Sequence, residues 1–71
     1  MREITEQAAI MLLLYSGKDR EGTIRNLKNV REDLTADEQE LMKLTDDLLE
    51  KLRPMSEAEF RDFLRLAEDI V

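Results

Sequence analysis

An all-α fold, a small four-helix bundle with helices at about 5–16, 19–31, 36–53 and 57–70, follows from three features of the sequence. Apolar residues recur three and four positions apart, the spacing that places side chains on one helix face. Stop and start signals divide the chain into segments: Ser16-Gly17, Thr35-x-x-Glu38, Pro54 and Ser56-x-x-Glu59. Hydrophobic residues make up 42% of the chain against one Pro and two Gly, a composition that suits packed helices better than a disordered tail or a sheet. The 71 residues are read as a single helical domain, 1–71. A chain of this size buries only about 60% of its unfolded surface. With no Cys to form disulfides, helix packing must carry its stability.

The first helix holds the main apolar run, Ala8 to Tyr15, eight residues without a charge in a chain that is 39% charged. Thr5 is placed to cap its N-terminus, with Glu6 favourably set in the first turn, and Gly17 is read as a left-handed residue that ends it. At 100° per residue Ile4, Ala8, Met11, Leu12 and Tyr15 share one face and are the expected core. Ile10, Leu13 and Leu14 lie towards the other side. These three are the candidate protein-binding residues if the fourth helix leaves them uncovered.

The second helix presents a narrow stripe, Ile24, Leu27 and Val30, with Glu21 and Arg25 spaced as an i,i+4 ion pair. Gly22 in its first turn costs about 1 kcal/mol relative to Ala, unless it permits a close approach to the first helix. In the third helix Thr35 and Glu38 form a capping-box sequence, and Leu41, Leu44, Leu48 and Leu52 make a broad apolar face flanked by Met42 and Leu49. Pro54 should end it by pushing residue 53 out of helical conformation. Ser56 and Glu59 make a second capping box, with Met55 and Phe60 at the two positions of a hydrophobic staple. Phe60, Phe63, Leu64, Ala67 and Ile70 then form a stripe, backed by Glu57–Arg61 and Arg65–Asp69 pairings on the solvent side.

The net charge of −6 disfavours loose binding to nucleic acid or an anionic membrane. Its distribution is uneven. Residues 32–71 hold thirteen of the seventeen acids, whereas Lys18, Arg20, Arg25, Lys28 and Arg31 gather in the second segment. Arg20, Arg25, Lys28 and Arg31 are the candidate nucleic-acid contacts in an alternative reading; a solvated helix face that offsets the acidic remainder is the simpler one. A helix-turn-helix is disfavoured, because the would-be recognition helix starts Ala36-Asp37-Glu38-Gln39-Glu40 and would set carboxylates against phosphates.

No catalytic, cofactor-binding or metal-binding constellation is present in the pattern. The chain lacks both Cys and His, which removes thiolate chemistry, Cys/His zinc sites and the usual neutral-pH general base. Asp46, Asp47 and Glu50 are the nearest thing to a carboxylate cluster, and on an open helix face they are expected to be solvated. The hydroxyls of Thr5, Ser16, Thr23, Thr35, Thr45 and Ser56 have no evident base beside them, and several serve better as caps. The start, Arg2 then an apolar run then Ser16-Gly17, superficially resembles a secretory leader. Glu3 and Glu6 occupy the region that should be positive, and no small-x-small cleavage site follows. Eight apolar residues are too few for a bilayer, which needs about 20. A cytoplasmic location is therefore expected.

Tyr15, Gly17, Arg20, Gly22, Ile24 and Leu27, then Leu34, Asp37, Glu40, Leu41, Leu44-Thr45, Leu48, Leu52, Met55-Ser56 and Glu59-Phe60, carry a resemblance. In this order they resemble the small transposon-transfer assisting proteins of bacterial conjugative transposons, over roughly residues 4–63. The resemblance implies a part in the transfer of an integrative mobile element and supplies no catalytic residue. The function expected is that of a non-enzymatic accessory protein with no cofactor, acting on another protein of the element. The alternatives are a nucleic-acid-associated regulator using the basic second helix and a self-associating structural protein, a homo-oligomer.

Overall fold

A computed structural model describes residues 4–71 as four α-helices, with no strand among the described residues. They are α1 (Glu6–Leu14), α2 (Arg20–Asp33), α3 (Gln39–Leu52) and α4 (Glu57–Ile70). The helices pack chiefly as two pairs, α1 with α4 and α2 with α3, and α1 against α3 joins the pairs. Arg2 and Glu3, which entered the leader reading, lie outside the described residues.

The core forms where the apolar stripes meet. Leu12, Leu27, Leu48, Leu52 and Phe60 are sealed from solvent, one or more from each helix, with Met11, Leu49 and Phe63 around them. Removing a side chain such as that of Phe60 from water contributes about 1.5–3 kcal/mol. Ala9 and Ala67 are fully buried on the paired helices α1 and α4, side chains too short to hold two helices apart. Ile4 and Tyr15, assigned to the core, are only half-buried and pack on its edge, as do Ile24, Leu44, Met55 and Leu64.

Each helix start has its own chemistry. Thr5 accepts the Ala8 N–H at 3.1 Å, and Asp19 accepts the Gly22 N–H at 2.8 Å, each satisfying a donor the helix cannot. At α4 both halves of the capping box are made: Ser56 Oγ accepts the Glu59 N–H at 3.1 Å, and Glu59 Oε1 accepts the Ser56 N–H at 2.8 Å. Met55 and Phe60, the two staple positions, both lie on the core.

At α3 the expected box is only half made. Glu38 Oε1 accepts the Thr35 N–H at 2.9 Å, but the Thr35 hydroxyl donates to that same carboxylate at 3.2 Å instead of capping the helix. The Glu38 N–H turns back to the Thr35 carbonyl at 3.0 Å, residues 36 and 37 form a turn, and α3 begins at Gln39. The start predicted at residue 36 is thus three residues early.

Two stop signals act differently from expectation. No described glycine has a positive φ, so Gly17 is not a left-handed cap. The end of α1 is closed by side chains: Ser16 Oγ donates to the Leu13 carbonyl at 3.1 Å and Asn26 Nδ2 to the Tyr15 carbonyl at 2.9 Å. Gly17 is needed for space, because a Cβ there would stand 3.0 Å from the Gly22 carbonyl carbon and 3.3 Å from Gly22 Cα and the Thr23 nitrogen. Gly22 therefore serves a close approach, but to the turn before α2 and not across α1. Arg53 keeps helical angles, φ −56° and ψ −46°, so Pro54 does not expel it. Proline ends the ladder by lacking the N–H that would continue it.

The solvent-side pairings are also partly revised. Glu57 and Arg61 lie 3.9 Å apart as expected. Arg65 instead meets Asp62 at 3.7 Å, one turn towards the N-terminus, and among the described residues Glu21 and Arg25 form no ion pair. Such exposed pairs contribute about 0–1 kcal/mol, too little to select one rotamer firmly.

Candidate functional site

The outward side of α1 is the candidate protein-binding surface, and the packing divides the three residues assigned to it. Ala8, Ala9, Met11 and Leu12 turn inward, and their burial sets the roll of the helix. Ile10 is left 46% exposed and Leu14 69% exposed. Leu13 is drawn half under and packs against the core. The packing therefore covers part of this side and leaves Ile10 and Leu14, one turn apart, in water. Glu6 and Gln7, one turn before them, are exposed as well.

Two sets of polar contacts that the spacing pattern did not suggest lie nearby, one on the inner side of the same helix and one at the turn that follows it. Thr45, fully buried on α3, donates its hydroxyl to the Leu41 carbonyl at 2.7 Å and lies 3.4 Å from Met11 Sδ. Thr23, fully buried on α2, donates to the Asp19 carbonyl at 2.9 Å and accepts the Gly17 N–H at 2.9 Å. Both hydroxyls are thereby satisfied, which a buried polar group requires.

The basic island is taken apart by the fold. Arg20 binds the junction between α3 and α4: its Nη1 donates to the Arg53 carbonyl at 3.3 Å and the Leu52 carbonyl at 3.5 Å. Its backbone N–H donates to Glu57 Oε1 at 3.2 Å. A guanidinium at the end of α3 meets the carbonyls that have no partner within the helix and the negative end of the dipole. Arg31 faces Asp46 across α2 and α3, Nε to Oδ1 and Nη2 to Oδ2, the second at 3.3 Å, a two-pronged pairing. The hydrogen bond from Arg31 and its charge hold the Asp46 carboxyl below the usual carboxylate range, and the same bond raises the Arg31 guanidinium. Arg25 and Lys28 remain exposed, but four-residue spacing sets them beside Glu21 and Glu32 on the outer face of α2. The two unengaged cations of that set thus sit in a mixed-charge face.

The carboxylate cluster is likewise reorganised, with Asp46 turned to Arg31. Among the described residues no three His, Cys, Asp or Glu side chains converge as a metal site would require. The six serine and threonine hydroxyls are occupied locally: Thr5 and Ser56 as caps, Ser16, Thr23 and Thr45 on backbone carbonyls, and Thr35 on Glu38. Two surface depressions open to solvent, one at the α1–α2 turn beside Lys18, Asp19 and Arg25, the other at Ala36–Leu41. Among the described residues no helix is long and apolar enough to cross a membrane.

The geometry is that of apolar side chains presented on a helix whose opposite side is locked into the core. The family described as "Putative transposon-transfer assisting protein" matches residues 4–67. No curated protein and no solved structure matches the chain.

Proposed function

The chain belongs to the transposon-transfer assisting family, and from that membership we propose a small, cytoplasmic accessory protein of a bacterial conjugative transposon. It assists transfer of the element by binding another protein that the element encodes, and it catalyses no reaction. The observation that carries the binding reading is the uncovered side of α1. Ile10, Leu13 and Leu14 stand at i, i+3 and i+4, the spacing with which a helix offers anchor side chains to an apolar groove. Ile10 and Leu14 are open, and Leu13 is half-covered beside them. Covering them would remove apolar surface from water at about 25 cal/mol per Å². Their backbone is already ordered by the core, so little further conformational entropy is lost on binding.

The test is affinity capture from a host that carries the element, with the wild-type protein, a Leu14→Glu variant and a Lys28→Glu variant as baits. A protein encoded by the element should be enriched by wild type and by Lys28→Glu, and lost with Leu14→Glu. No enrichment of any element protein over the Leu14→Glu bait contradicts the reading. Capture lost only with Lys28→Glu would move the binding surface to α2.

A further inference from the structure

We draw no further inference here: the strongest candidate, the outward face of α1 that bears Ile10 and Leu14, belongs to the surface already proposed for partner binding, and nothing in the structure shows what covers it.

Discussion

Replacing Gly17 by alanine tests the close backbone approach between the α1–α2 turn and the start of α2. The added Cβ would stand 3.0 Å from the Gly22 carbonyl carbon and 3.3 Å from two further backbone atoms, none of which can swing away as a flexible side chain does. Overpacking of this kind costs about 1–3 kcal/mol. The φ of Gly17 is not positive, so alanine fits the backbone and reduces unfolded-state entropy, an offset of about 0.4–1 kcal/mol. The net expectation for Gly17→Ala is a loss of about 1 kcal/mol, which lowers the melting temperature of a domain this size by about 4–8 °C. Gly22→Ala differs, because its Cβ would meet first the Asp19 carboxylate oxygen at 3.1 Å, the same oxygen that caps α2. A helical glycine replaced by alanine gains about 0.8–1.0 kcal/mol, which offsets the loss of about 1 kcal/mol expected from a disturbed N-cap, so Gly22→Ala should lie near wild type and above Gly17→Ala. Urea unfolding followed by far-ultraviolet circular dichroism orders the three proteins. Gly17→Ala as stable as wild type, or less destabilised than Gly22→Ala, would refute the close-approach argument.

Three further outcomes follow from the caps and the charges. Ser56→Ala should lose about 1 kcal/mol, the usual worth of an N-cap, whereas Thr35→Ala should stay within about 0.5 kcal/mol, since its hydroxyl caps no helix and the site is exposed; equal losses in urea melts would contradict the half-made box at α3. Arg20→Met should cost about 1 kcal/mol through the bonds it makes at the end of α3, and Arg25→Met should remain within about 0.5 kcal/mol of wild type, the reverse order arguing against the role given to Arg20. For Asp46 the sign is set by its depressed folded-state value: the Arg31 pairing stabilises the fold above the unfolded-state titration and is lost as pH falls through the lower folded one. The stability advantage of wild type over Asp46→Asn should therefore hold near neutral pH and shrink in acid, and an advantage that widens on acidification would show that the pairing is not its source.

The parts of the fold that were legible in the chain are those decided within one helical turn. The α4 start was, because Ser56, Glu59, Met55 and Phe60 all act inside six residues and all point to one boundary. At α3 the same motif misled, since a threonine hydroxyl can donate to the Glu38 carboxylate as readily as accept a backbone N–H, and the sequence does not choose between them. Gly17 illustrates a different limit: the residue type marks a position where a side chain is unwelcome, but a positive φ and a neighbouring backbone give the same letter. Arg20 could not be read as structural at all, because its partners Leu52, Arg53 and Glu57 lie 32 to 37 positions away. A cation in a basic stretch looks available until the fold supplies its acceptors. For the candidate site, the helical wheel sets Ile10, Leu13 and Leu14 apart from Ala8, Met11 and Leu12. That Leu13 is drawn towards the core while Ile10 and Leu14 stay open depends on how the other helices pack against α1, a tertiary fact with no local signal.

Transfer of the element itself tests the central claim most directly. In a donor whose element lacks this gene, transfer frequency is measured after complementation with wild type, Leu14→Glu or Lys28→Glu, each first shown by circular dichroism to fold with the helical content of wild type. Wild type and Lys28→Glu should restore transfer and Leu14→Glu should not, because the charge occupies an open position on α1 and disturbs only what binds there. Full restoration by a folded Leu14→Glu protein would contradict the claim that the uncovered side of α1 is the surface through which this protein assists transfer.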